Sequence, residues 1–444
     1  MRLAFLIRRD NHYRLLGPVI ERALGRGWDV ECWHAADEGL KGDRRLERRQ
    51  AGPTFHAGRP RQREFRAGGL ARLIADVAPD VVITMYPAPG MARTGGVRWL
   101  GLQYTLNIGE LVDGAGGTPF DTIAMHTEHW RALTADSVRI VNETRGRGGE
   151  PVDDDVIAAT LRRCGAVVGF PEMDQCDLID PATVRARLGL DPARPVVVYC
   201  PFPFLSNPRT FWTGNIYGPF QASARLATIA QRVPRADGLI DRAGRLRQRV
   251  ATWTSRGRGY APSVAQGWDD RGVVRAVRAF CDTNGAALLV KARAKDPVAA
   301  YLGAAADQVL YDSSDYPATI LEVMSIASLC IHFFSTVAYE AAYVKVPSVC
   351  VTADPDDLGF SPTLRASYLS TAPGSSFNAP GVTYPQSVGE MVAGFARRRL
   401  ADFPLEPAAR AQYLDKFVGP DDGKASDRLL DAAAALVDGE RVPR

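Results

Sequence analysis

Two groups of residues in this chain have the types and spacing for chemistry on an anionic ligand. In "LCIHFFSTVAYEAAYVKVPSVCV" (329–351), Ser335 and Thr336 stand where an apolar strand hands over to a small-residue helix, with Glu340 a turn further on. Free amides at a helix start, together with its partial positive charge, bind phosphate. A carboxylate at Glu340 can accept from both hydroxyls of a ribose. In "AALLVKARA", Lys291 and Arg293 alternate with alanines and therefore share a face at a strand end. Cations placed there stabilise the charge that develops on a departing diphosphate. The plain structural alternatives are a helix N-cap, an exposed helix glutamate and a solvated strand end.

A second group could move a proton. Asp10 and His12 follow the first apolar run, "RLAFLI", and Glu110 lies beyond a later one, "VRWLGLQY". A histidine or carboxylate near neutral pKa can take the proton of an attacking hydroxyl. Glu110 competes for that role with His126 and Glu128 in "MHTEHW", and position favours Asp10 and His12. No metal is assigned. "DDD" (153–155) reads as an acidic helix start and "DPDD" (354–357) as a loop, so leaving-group charge falls to Lys, Arg and helix dipoles.

The elements that must position these residues are legible as alternating apolar runs and amphipathic stretches. Strands are expected at "RLAFLI", "WDVECW", "DVVITMYP", "VRWLGLQY", "DTIAMHT" and "GAVVGFP". A second series follows at "VVVYCPFPF", "AALLVKARA", "QVLYD", "LCIHFF" and "PSVCV". Continuous apolar strands separated by helices imply parallel sheets covered on both faces. The fold class is therefore α/β, with two doubly wound Rossmann-like domains. The first spans 1–190, and the second spans 191–410 with an insert at about 203–265. A closing helix region covers 411–444 and is expected to tie the lobes together. Ligands in such sheets bind beyond the carboxyl ends of the strands, so a site in a cleft between the domains is expected.

Composition narrows the class. The 444 residues are 46% hydrophobic and 23% charged, the balance of a soluble globular protein. The net charge of +4 rests on 48 arginines against 6 lysines, so an arginine cluster alone is weak ground for a binding site. Seven scattered cysteines without a C-x-x-C pair read as free thiols in a reducing compartment. The first apolar run is too short for a signal peptide, and no window reaches the length of a membrane span. A cytoplasmic protein is expected, with the inner face of the membrane as an option. The arginine-rich stretch 44–66 reads first as a solvated loop and alternatively as a contact for an anionic acceptor. No basic-aromatic motif points to nucleic acid.

Four pieces resemble the GT-B glycosyltransferase superfamily, nearest the branch with CDP-glycerol glycerophosphotransferases, capsule-type transferases and UDP-N-acetylglucosamine 2-epimerases. "GFPEMDQ" (169–175) is similar to the Gly-x-Pro-x-x-Asp turn that closes the N-terminal domain there. "PVVVYCPFP" resembles the strand opening the nucleotide-binding domain. "FFSTVAYEAAYVKVPSV" resembles the donor-phosphate helix, and "DGKASDRLLDA" (422–432) the closing helix. The chain departs from the glycerophosphotransferase pattern at "LQYTLN", where Tyr104 stands for a histidine, and at "KARAKDP", which lacks a His-Pro.

The resemblance implies a metal-independent glycosyltransferase. Lys291, Arg293, Ser335, Thr336 and Glu340 would bind a nucleotide-sugar donor, and Asp10, His12 or Glu110 would act on the hydroxyl of a glycan, lipid-linked or small-molecule acceptor. No cofactor is implied. The alternatives are a CDP-glycerol-type transferase, a nucleotide-sugar epimerase and a catalytically silent nucleotide-sugar-binding protein.

Overall fold

A computed structural model of the chain describes residues 1–35, 53–88, 91, 96–144, 148–201, 270–292, 300–311, 314–352 and 362–439. They fall into two compact units. Unit 1 comprises 1–179, 314–319 and 414–444, and unit 2 comprises 180–313 and 320–413.

Unit 1 is built on a seven-stranded parallel sheet in the order β3-β2-β1-β4-β5-β6-β7. Its strands are β1 (Arg2–Ile7), β2 (Asp29–Ala35), β3 (Arg61–Phe65), β4 (Val81–Thr84), β5 (Arg98–Leu102), β6 (Thr122–Met125) and β7 (Gly165–Val167). Helices α1 (Tyr13–Gly25), α2 (Leu70–Val77) and α3 (Ile108–Leu111) belong to the crossovers. The central strands read as continuous apolar runs because both faces are covered, and β1 is buried from Leu3 to Ile7. Leu6, Trp33, Val82, Ile123 and Leu161 share one core cluster.

Strand β3 is a correction to the expected loop. "RQREF" lacks an apolar pattern, yet it pairs in parallel with β2, Glu31 opposite Arg61 and Trp33 opposite Arg63. It is an edge strand, and charged side chains suit an edge because they discourage further pairing. Its arginines answer a buried charge. Glu31, 1% exposed, accepts from Arg63 Nε at 2.7 Å and from Trp33 Nε1 at 2.9 Å. The described arginines of the 44–66 stretch thus include one with a structural partner, and residues 36–52 lie outside the description.

Unit 2 has a six-stranded parallel sheet in the order β10-β9-β8-β11-β12-β13. Its strands are β8 (Val196–Cys200), β9 (Ala287–Lys291), β10 (Gln308–Leu310), β11 (Leu329–His332), β12 (Ser348–Thr352) and β13 (Thr383–Ser387). Strand β13, "TYPQS", was not anticipated. Its proline is tolerated because the strand lies at the sheet edge. Val197, Leu288, Val290, Ile331 and Val349 form the core of this unit with Phe280 and Phe395. The insert at about 203–265 lies outside the described residues.

Both strand orders contain a reversal, between β1 and β4 in unit 1 and between β8 and β11 in unit 2. At such a point the crossovers leave to opposite sides and open a crevice at the carboxyl ends of the strands.

Candidate functional site

The unit 1 reversal gathers the candidates for acid–base work. Residues Asp10–His12 form a single 3-10 turn between β1 and α1. The Asp10 side chain lies outside the description. His12 is 4% exposed, and its Nδ1 accepts the backbone N–H of Arg8 at 3.4 Å. Burial, then the positive charges of Arg9 and Arg8, lower its pKa to about 3. The ring is therefore neutral at pH 7, with its proton on Nε2. Tyr86, just past β4, lies beside it with ring centroids 5.8 Å apart, and the Arg8 guanidinium sits 5.6 Å from the Tyr86 centroid. Arg8 also donates to the carbonyl of Pro87.

Glu110, half-buried on α3, faces the same group. The Tyr86 phenol is raised by burial and then by the negative charge of Glu110, against Arg9 and Arg8. Asn107 holds the neighbouring chain ends together. Its Nδ2 donates to Met85 O at 2.7 Å, and its Oδ1 accepts the Tyr104 amide. A small concavity lined by Arg9, His12, Met85, Tyr86 and Tyr104 opens here. A larger recess of unit 1, lined by Ala78, Asp80, Arg98 and Val437, lies at the amino ends of β4 and β5, away from these groups.

The competing residues are placed elsewhere. His126 is fully buried, stacks on Phe170 with centroids 4.0 Å apart, and has a pKa lowered to about 3 by burial. Glu128 is exposed and pairs with Arg131 at 3.1 Å. Tyr86 was the residue missed from sequence. It ends an apolar strand just before a proline, and only the neighbouring position of β1 and β4 brings it to His12.

The unit 2 reversal carries Ser335 and Thr336, both half-buried, between β11 and the helix Val337–Tyr343. Thr336 is not an N-cap: its backbone is already helical and its side chain makes no capping bond. Ser335 Oγ accepts the Val337 amide at 3.3 Å, and the Ser335 amide donates to His332 Nδ1 at 3.4 Å. The Ala338 and Tyr339 amides are bonded to the carbonyls of Ser335 and Thr336. The expected row of free amides is thus mostly satisfied within the chain. What this turn offers a ligand is the Thr336 amide and the two hydroxyls as donors.

Glu340 is 2% exposed, buried with Ala338, Ala341 and Ala342. The alternative of an exposed helix glutamate does not hold, and the helix is packed closely around Glu340 as its flanking alanines suggest. Lys291 ends β9 one row beyond the Tyr199–Val290 pair, 8% exposed, with Nζ donating to Ala292 O at 3.1 Å. Arg293 lies outside the described residues, as does 354–357. Asp153 accepts the Val156 amide at 3.0 Å and caps the helix Asp154–Cys164. Among the described residues no three His, Cys, Asp or Glu are grouped as metal ligands, and no helix is long and apolar enough to cross a membrane.

The two motifs at 169–175 and 422–432 do structural work together. Glu172, wholly buried, pairs with Arg14 of α1, whose Nε lies 3.0 Å from Oε1. Gln175 donates to Arg14 O at 2.8 Å and accepts the Ala318 amide at 2.6 Å. Asp174 accepts the amides of Ala425 and Ser426, where the helix Ala425–Asp438 begins. These residues bind helices and a mid-chain segment into unit 1.

No family model and no curated protein matches the chain. Solved structures do. The wall teichoic acid polymerase TagF superposes with a TM-score of 0.52 at 12% identity, over 99% of this chain and 89% of that one. A Staphylococcus aureus MnaA structure with UDP gives 0.50 at 10% identity, over 98% and 97%. A Listeria monocytogenes structure described as a UDP-N-acetylglucosamine 2-epimerase gives 0.50 at 9%, over 100% and 98%. The chain has the two-domain α/β fold of the GT-B type that these structures share.

Proposed function

We propose that this protein is an enzyme acting on a nucleotide-activated substrate, and specifically that it transfers a sugar to an acceptor hydroxyl without a metal. The observation that carries the reading is positional: Ser335 and Thr336 in unit 2 and His12 in unit 1 follow β11 and β1, strands that border the reversal of their sheet. Unit 2 holds the donor. Its diphosphate takes hydrogen bonds from Thr336 N–H and the Ser335 and Thr336 hydroxyls, with the Lys291 ammonium and Arg293 as cations. Glu340, 2% exposed, takes part in ribose binding only if it becomes accessible.

Unit 1 supplies the acceptor side. His12 is a poor base, because a pKa of about 3 and an occupied Nδ1 leave Nε2–H as a donor. Glu110 is then the group that takes the acceptor proton, with Asp10 as the second candidate. In the transfer the acceptor oxygen bonds to the anomeric carbon, the bond from that carbon to the diphosphate oxygen breaks, and the proton goes to the carboxylate. The negative charge left on the diphosphate is met by the donor groups of unit 2.

A second reading, epimerisation of a nucleotide sugar, is favoured by the fold shared with the Listeria monocytogenes structure described as a UDP-N-acetylglucosamine 2-epimerase. Glycerol-phosphate transfer is less favoured, because Tyr104 occupies the concavity where that pattern places a histidine. The test is a melting-temperature panel of UDP, CDP, GDP and their sugars, followed by product analysis with and without acceptor. A shift with one nucleotide family and acceptor-dependent product supports transfer. Product from the donor alone selects epimerisation, and no shift with any nucleotide removes both.

A further inference from the structure

We propose that His332 is a positioning residue for the Ser335–Thr336 turn, holding it in the conformation that presents its hydroxyls and the Thr336 amide to an anionic ligand. The inference rests on the reading of that turn as a donor-phosphate site.

Two features beside Ser335 are unfavourable for a fold as such. Phe334 has φ of 34°, in the left-handed region where a side chain other than glycine's is strained. His332 is fully buried, and its Nε2 has no hydrogen-bond partner. An orphaned polar nitrogen in an apolar setting costs stability that an aliphatic side chain would not. Phe377 lies beside it with ring centroids 6.0 Å apart, and Cys350 is its partner across the β11–β12 pair; both belong to an apolar cluster.

The other nitrogen accounts for the histidine. Nδ1 accepts the Ser335 amide, so the ring fixes the peptide between the strained Phe334 and Ser335. That bond turns the Ser335 N–H inward. Ser335 Oγ is held in turn by the Val337 amide, leaving its hydroxyl hydrogen for a ligand oxygen. Without the Nδ1 acceptor, Phe334 can relax to negative φ and carry Ser335 and Thr336 with it.

Isosteres separate the two nitrogens. Asparagine places an acceptor where Nδ1 is, while glutamine places its amide near Nε2. In His332→Asn the affinity for UDP or CDP stays within about twofold, whereas in His332→Gln it falls about tenfold or more, with the unliganded melting temperature similar in both. Equal affinity in wild type and both variants overturns the proposal and leaves the nucleotide reading intact. If wild type binds neither nucleotide, that reading falls, and hydrogen exchange at the Ser335 amide decides the positioning role by itself. Protection kept by asparagine and lost with glutamine supports it, and protection equal in both overturns it. Should a variant fail to fold, nitrogen-15 imidazole shifts of the wild type decide. A proton on Nε2 supports the role, and a proton on Nδ1 overturns it.

Discussion

The Asp174 carboxylate caps a helix 251 residues away in sequence, accepting the Ala425 amide at 3.2 Å and the Ser426 amide at 2.6 Å. Burial raises its pKa, and these amide bonds pull against that rise. Asp174→Ala removes both acceptors from buried N–H groups and should cost about 1–3 kcal/mol of unit 1 stability. Asp174→Asn keeps one acceptor and should cost less. A carboxyl group raised on folding stabilises fully below its unfolded pKa and loses that contribution as pH rises through the folded one. The asparagine variant therefore loses this part of the pH dependence, which denaturant titrations between pH 3 and pH 7 would register.

His12, His126 and His332 are all buried, each with a pKa lowered to about 3. The unfolded chain binds protons on them near 6.5 while the folded chain does not, so stability falls as pH drops from about 6.5 toward 3. Each contributes a slope of about 1.4 kcal/mol per pH unit in the middle of that window. His126→Phe, at a site that already stacks on Phe170, should remove one such contribution. Unfolding free energies at pH 4.5 and 5.5 test it; an unchanged slope in the variant would show that His126 titrates alike in both states.

Ser335→Ala combined with Thr336→Val removes two hydroxyls while keeping volume close to native. The protein should stay folded and lose most of the melting shift that UDP or CDP produces. This pair is a cleaner test than Glu340→Ala, because Glu340 is 2% exposed and its truncation leaves a cavity.

Glu110→Gln should lower turnover by about 10²–10⁴ with nucleotide affinity unchanged, the signature of a lost base. Steady-state rates alongside calorimetric nucleotide binding make the comparison. A rate within twofold of wild type would pass the role to Asp10.

Gly17 of α1 lies against Tyr316, where an added Cβ would meet the ring at 2.5 Å. Gly17→Ala should push the 314–319 segment off α1 and cost about 1–3 kcal/mol. Loss of amide protection at Ala318, which donates to Gln175, reports the displacement.

Much of the fold was written locally. The runs "RLAFLI", "ALLVK" and "LCIH" are apolar without alternation, which only a strand covered on both faces tolerates, and they are β1, β9 and β11. Strands β3 and β13 were not legible, because "RQREF" and "TYPQS" have no strand pattern of their own and become strands by pairing with β2 and β12 at the sheet edges. The motif "GFPEMDQ" was recognisable, yet nothing local says that Glu172 answers Arg14, that Gln175 receives Ala318 or that Asp174 caps a helix near the far end of the chain.

From residue order alone came the parallel sheets, the small-residue helix after Ser-Thr and the shortlist of groups able to meet phosphate or take a proton, since each depends on neighbours within a few positions. Tertiary structure decided which of those groups share a crevice. It set Tyr86 beside His12, buried Glu340 and His126, and tied the Ser335 amide to His332. Hydrogen bonding, desolvation and field strength act over a few ångströms, and those distances exist only after the strands have taken their order.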